Sequence, residues 1–283
     1  MPSPPEAGIG RILSGNFAPP TLVIWPRSDL RIVDWNIDRG VHLGAIVRFL
    51  RSVRADIVLL QEVDLHCRRT HHLDVAQESA RALQLNYVFG CEFQELTQGS
   101  ADSPAYQGQA TLSRWPLTDA YAIRFARQSD FWHPHWFLPR HAPFQERLGG
   151  RMALCVGVKL PQRTLITYNL HLESKGSDSL RVLQLDQVLQ DAAKLPARSS
   201  VLIAGDMNLN ASEGHTAATL MRAGFQDAVG DTRQPTRPAH MFGRARSIDG
   251  IFINGRLRRR ESQIHVSVPG SDHYPVSVTL YLA

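Results

Sequence analysis

Cysteine is scarce in this chain of 283 residues, with only Cys67, Cys91 and Cys155. They are odd in number, far apart and never spaced C-x-x-C, which argues against a disulfide framework and a structural zinc site. No apolar run reaches the roughly 18 residues that a membrane span requires. The first residues, MPSPPEAGIGRILSGNFAPP, lack a basic start followed by an apolar stretch, so no secretory signal is expected and the expected location is cytoplasmic. Internal repeats are absent, and no linker follows Arg27. Neither charge dominates: 31 basic and 26 acidic residues leave a net charge of +5. That mild basic balance suits a polyanionic partner without requiring one.

What remains is ordinary globular composition, 43% hydrophobic and 20% charged, in a chain long enough to bury a large core. Residues 1–27 hold six prolines and read as a tail or strap. Residues 28–283 read as one domain in which strand and helix patterns alternate. Strands are expected at 30–37, 56–63, 87–93, 109–113, 200–204, 247–253, 263–268 and 275–282, with a hairpin formed by 152–160 and 164–172. The near-continuous apolar run DIVLLQEV suits a strand buried on both faces. Helical spacing predicts helices over 42–54, 74–85 (with Asp74 as a candidate N-cap) and 178–194. Such mixing of paired strands and strand–helix–strand units fits stacked mixed sheets with helices outside.

Polar residues recur where apolar runs end. Asn36 closes LRIVDWN, Gln61 and Glu62 close DIVLLQE, and His171 closes TLITYNLH. Asp206 and Asn208 follow VLIAGD, Asp249 lies in SIDGIF, and Asp272 and His273 precede YPVSVTLYL. A buried strand carries a carboxylate at high cost, so charges collect at strand ends. Aligned strands would bring these ends to one rim, where ligand sites of layered α/β proteins commonly form. Singly, each has a plain structural reading: Asp206 to Asn208 as a turn, Asn36 as a helix cap, His171 as a satisfied edge residue. Six such coincidences favour a site.

The ordered set WN (35–36), QE (61–62), LHLES (170–174), GDMN (205–208), SIDGIF (247–252) and SDHYPV (271–276) resembles the endonuclease/exonuclease/phosphatase, or deoxyribonuclease I-like, superfamily. In style it is similar to bacterial members and to the 5′-tyrosyl-DNA phosphodiesterase branch. The resemblance implies an α/β (α+β) four-layer sandwich, two packed mixed sheets with outer helices. It further implies hydrolysis of a P–O bond by activated water with Mg²⁺ or Mn²⁺. Glu62, Asn36 and Asp272 match its metal side, where a hard ion takes oxygen ligands and keeps waters. Asp206 matches the residue that orients or deprotonates the attacking water, and Asn208 its neighbour. His273 matches the histidine that contacts the scissile phosphate, Asp249 the acid that fixes that ring, and His171 a second phosphate-side group. Where the family often has G-N-A, this chain has Gly108-Gln109-Ala110, and the longer Gln109 departs from the pattern.

Candidate substrate contacts are Arg114, Arg151, Lys175 and Arg181. Trp132 and Trp136 lie in FWHPHWFLPRH (131–141), a loop that either exposes rings to bases or folds them onto the core. The cluster Arg256, Arg258, Arg259 and Arg260 is either a solvated turn or a phosphate-binding patch. The expected partner is a phosphoester, with nucleic acid or its ends favoured by charge and aromatic content. A phospholipid or small phosphoester on the same machinery is the alternative. An inactive binding module is the reading from another class, and the presence of the whole residue set argues against it.

Overall fold

The structure, a computed structural model, describes residues 8–20, 29–132, 137, 146–230, 234–239 and 244–282. The chain begins with β1 (Ile12–Gly15), β2 (Asp29–Arg39), α1 (Leu43–Ser52), β3 (Ile57–Leu65), α2 (Val75–Leu83), β4 (Asn86–Glu95) and β5 (Ala105–Ser113). It continues through β6 (Leu117–Arg124), β7 (Arg147–Gly149), β8 (Met152–Lys159), β9 (Thr164–His171) and α3 (Asp178–Ala192). β10 (Ser200–Asp206), α4 (Gly214–Arg222), β11 (Phe225–Asp227), β12 (Asp249–Asn254), β13 (Leu257–Ile264) and β14 (Val276–Leu282) complete it. One sheet runs β1-β4-β5-β3-β2-β14-β13, with β7 also on β4; the other runs β11-β12-β10-β9-β8-β6. Most pairs are antiparallel, but β2–β3 and β9–β10 are parallel, so both sheets are mixed.

Period-two alternation sets the layers. On β2 and β3, Val33, Trp35, Ile37, Val58 and Leu60 face outward and join Ile46 and Leu50 of α1 and Val75 and Ala80 of α2 in one core. On β9 and β10, Tyr168, Leu170, Val201 and Ile203 face the other way, onto Leu185 and Val188 of α3 and Leu220 of α4. Leu30, Ile32, Ile57 and Leu59 meet Leu165, Leu202, Ile251 and Ile253 between the sheets. The result is the expected order of helices, sheet, sheet, helices. Asp74 caps α2 by accepting from the Gln77 N–H at 2.9 Å, and Ser177 caps α3. No helix among the described residues is long and apolar enough to cross a membrane.

The layer between the sheets changes character along the strands, and this positions the site. On β2 the inward residues pass from Leu30 and Ile32 to Asp34 and Asn36; on β3, from Ile57 and Leu59 to Gln61. On β9 they pass from Leu165 to Thr167, Asn169 and His171; on β10, from Leu202 and Ala204 to Asp206. β12 runs oppositely and enters with Asp249 opposite Asp206. One end of the sandwich is therefore hydrocarbon and the other a buried polar wall. Trp35, fully buried, ties the ends together by donating from Nε1 to the His273 carbonyl at 2.9 Å. Removing a ring so packed costs about 3–5 kcal/mol.

Two expectations change. Part of the N-terminal strap is ordered: Ile12–Gly15 is an edge strand antiparallel to β4. The arginine cluster is only partly a turn: Arg256 lies in the turn between β12 and β13, whereas Arg258, Arg259 and Arg260 lie on the edge strand β13, beside the far end of β14 from His273. Edge strands are commonly charged, which blocks pairing with further strands.

Candidate active site

Two of the three residues expected on the metal side, Asn36 and Glu62, sit on adjacent irregular strands, and Asp272 lies in the bend before β14. The β2–β3 register shifts between Asn36 and Arg39, and the β3–β5 register shifts between Leu60 and Val63. Gln61 and Glu62 together oppose Gln109, so β3 bulges, and Glu62 takes a left-handed φ of 51°. Bulges re-aim side chains beside active sites. Here Gln61 points inward to Asp34 and Asn169, both at 2.8 Å, while Glu62 turns to the rim. Burial opposes ionisation of Glu62, but His171, Arg39, Arg147 and Arg151 outweigh it and hold its carboxyl well below the usual range. Asn36 Nδ2 donates to Asp206 at 3.1 Å and lies 3.4 Å from Glu62.

Asp206 ends β10. Gly205 before it has φ 142°, and a Cβ there would stand 2.0 Å from the Leu170 carbonyl oxygen, so glycine is required by close approach of β9. Asp206 Oδ1 accepts from the Asn208 N–H at 2.9 Å, and Asn208 Nδ2 donates to the Leu172 carbonyl at 3.1 Å. Both Asp249 oxygens lie 2.9 Å from His273 Nδ1. Burial works against charge on that ring, yet Asp249 above all, with Asp206 and Asp272, pushes its pKa up to about 10. His273 Nε2 then faces Asp206 at 3.8 Å.

His171 faces Asp206 from the other side, with Nε2 at 3.7 Å, and lies 4.0 Å from Glu62. Its Nδ1 meets Arg151 at 2.8 Å. A guanidinium only donates, so Nδ1 accepts in that contact, and the Glu92 carboxylate lies 3.4 Å from the same nitrogen. Arg151 is held in turn by Glu92 at 3.3 Å and Ser174 at 3.1 Å.

These groups open into a cavity of about 510 Å³. Six cations line it, Arg39, Arg147, Arg151, Lys175, Arg237 and Arg246, against the four acids Glu62, Glu146, Asp206 and Asp272. The excess favours an anion. Among the described residues, three acid or histidine ligand atoms come within 4.8 Å of one another only at Asp206, Asp249 and His273. That trio is occupied as an ion-pair relay, since both Asp249 oxygens serve His273 Nδ1. Glu62 and Asp272 offer carboxylate oxygens of the kind a hard ion takes, whereas Asn36 turns Nδ2 toward Glu62 and its Oδ1 accepts from the Asp38 N–H at 3.1 Å. Asp272 is half-exposed and meets Arg237 at 2.6 Å.

Not every expected contact reaches the cavity. Arg114 pairs with Asp56, just before β3, whereas Glu62 lies near the other end of that strand. Arg181 is buried and donates to the Glu173 and Ser174 carbonyls and to Asp178, so it clamps the turn after β9. Trp132 is not an exposed stacking ring: it is 6% exposed, with Nε1 donating to Glu173 at 2.9 Å. Trp136 lies outside the described residues. Arg151 and Lys175 do line the cavity. Gln109 spends its amide on the Met152 carbonyl at 2.8 Å.

Several neighbours of the site went unnoticed in the sequence: Arg39, Arg237 and Arg246 around the cavity, Glu92 behind Arg151, and Asp34 beneath it. Burial, then Asp249, pushes the Asp34 carboxyl well above its ordinary value. Asp34 was legible by parity, since it shares the inward face with Ile32 and Asn36. The arginines gave no local signal.

Two facing mixed sheets with outer helices and a polar rim define a DNase I-like fold. The endonuclease/exonuclease/phosphatase family model matches residues 35–273, and the chain belongs to that family of phosphoester hydrolases. An endonuclease/exonuclease/phosphatase from Beutenbergia cavernae is similar at TM-score 0.66 and 20% identity, over 91% of this chain and 72% of that one. A family member from Bacteroides vulgatus aligns at 0.63 and 17%, over 91% and 100%. TDP2 from C. elegans aligns at 0.61 and 16%, over 89% and 75%. No curated protein matches the sequence.

Proposed function

We propose that this protein is a Mg²⁺- or Mn²⁺-dependent phosphodiesterase that acts on nucleic acid or its ends. The observation that carries this reading is Asp206, set between the Nε2 atoms of two histidines at 3.7 and 3.8 Å beneath a cation-lined cavity. Asp206 is fixed by the Asn208 N–H and by Asn36, and takes the proton of the attacking water. His273, charged through Asp249, donates from Nε2 to a non-bridging oxygen as negative charge grows there. His171 offers a second N–H from the facing strand, and Asn208 keeps one amide face toward the phosphate. Glu62, with Asn36 and Asp272, would hold the divalent ion, which neutralises phosphate and leaving-oxygen charge when bound. Six cations give room and charge for more than one phosphate, which supports a polyanionic strand over a small monoester.

The test is cleavage of a single-stranded oligonucleotide and of sphingomyelin vesicles with Mg²⁺, Mn²⁺ or EDTA, beside Glu62→Gln. Oligonucleotide cleavage that EDTA stops, added metal restores and Glu62→Gln abolishes is the expected result. Cleavage of sphingomyelin alone would overturn the nucleic-acid assignment, and EDTA-resistant cleavage would overturn the metal.

A further inference from the structure

Phe131 is out of character with its surroundings. Ten of the sixteen residues lining the cavity are ionisable acids, lysine or arginine, and among the described residues only Phe131 and Trp132 are apolar. Trp132 is buried, whereas Phe131 is 55% exposed. Lys175 stands over one face of the ring, and more than half of the residue is left exposed in a charged cavity, where an aromatic face gains by stacking.

Its seat is rigid. Phe131 stands edge-on to Trp132, with ring centroids 4.9 Å apart at 83°. Trp132 is itself held by Phe93 at 5.3 Å and by the guanidinium groups of Arg147 and Arg151, each 5.2 Å from its ring. The Glu173 carboxylate gathers the Trp132 Nε1–H at 2.9 Å, the Ser129 hydroxyl at 2.8 Å and the Lys175 N–H at 2.9 Å. One buried acid thus joins the segment carrying Phe131 to the turn carrying Lys175. The Lys175 ammonium lies 4.9 Å from the Phe131 centroid.

We propose that Phe131 and Lys175 form a platform for one nucleotide beside the scissile phosphate, Phe131 stacking its base and Lys175 holding its outer phosphate. This rests on the nucleic-acid reading above and makes Phe131 the specificity-determining residue. Stacking on a ring is tolerant of base identity, so the platform selects for the presence of a base and not for its sequence.

The test measures Kd by anisotropy and KM by cleavage for two strands of equal length, an oligodeoxynucleotide and an abasic tetrahydrofuran strand with the same phosphates. Wild type should prefer the base-bearing strand by about 5- to 100-fold. Phe131→Leu should collapse that ratio toward one, and Phe131→Trp should keep it. Lys175→Ala should weaken both strands alike and flatten the log–log salt slope by about 0.7. A ratio that Phe131→Leu leaves intact, in protein that still cleaves the strand, overturns the platform alone. A wild type that neither binds nor cleaves either strand overturns the nucleic-acid reading and the platform together.

Discussion

His273 and His171 are both buried, 3% and 1% exposed, and both aim Nε2 at Asp206. They differ in what stands behind the ring. Behind His273 is the Asp249 carboxylate, at 2.9 Å; behind His171 are the Arg151 guanidinium, at 2.8 Å, and the Glu92 carboxylate, at 3.4 Å. A carboxylate stabilises imidazolium, whereas a guanidinium requires a ring nitrogen that accepts. Burial alone would have left His273 neutral. Asp249 therefore makes His273 a cationic donor, whereas the His171 Nδ1 meets a guanidinium and a carboxylate together. The His273 Nε2 faces Asp206 from one side, and His171 faces it from the other with its Nε2 also 4.0 Å from Glu62.

The comparison breaks most completely at Asp206, the residue both rings share. Asp206→Asn should lower kcat by about 10²–10⁴-fold, the worth of a general base, with little change in Tm. Near-normal turnover in a folded variant would remove Asp206 from the chemistry. Asp249→Asn should cost less, about 10²–10³-fold, the worth of one charge-stabilising donor. It should also change the pH dependence of stability. The His273 pKa in the folded state, about 10, exceeds its ordinary 6.5. Its contribution is therefore complete below pH about 6.5 and is lost as pH rises through about 10. A series of melts from pH 6 to 10.5 should show that loss in wild type and a smaller one in Asp249→Asn. Equal slopes would show that Asp249 does not hold the charge.

The layered fold and the gathering of polar strand ends at one rim were readable because both are periodic or local. Glu62, Asp206, Asn208, Asp249 and His273 stand at the ends of apolar runs, and strand alternation carries them to one rim. Arg114 failed for a reason that sequence patterns do not encode. It follows β5, whose antiparallel pairing with β3 sends that end away from Glu62. Trp132 took the second of its two open readings, because a loop's ring is stacking surface or core according to what lies beneath it, here Glu173 from a distant strand end. Arg181 failed because its helix starts beside backbone carbonyls that need donors. Strand polarity and long-range burial decide these positions, and neither leaves a local mark.

The other half of the histidine comparison is sharpened at Arg151. Its guanidinium meets the His171 Nδ1 and also pairs with Glu92, fully buried and 3.3 Å away. Arg151→Met therefore does two things. It takes that donor away from Nδ1, which lets the ring turn or change tautomer, and a lost orienting partner of this kind costs about tenfold in rate. It also strands a buried acid, which costs about 3–5 kcal/mol of stability. Adding Glu92→Gln separates the two, because a neutral amide tolerates the lost partner far better than a carboxylate. The double variant should recover most of the fall in Tm and little of the fall in kcat. Recovery of both would mean that Arg151 serves folding alone, and that the His171 ring is oriented by something other than the guanidinium behind it.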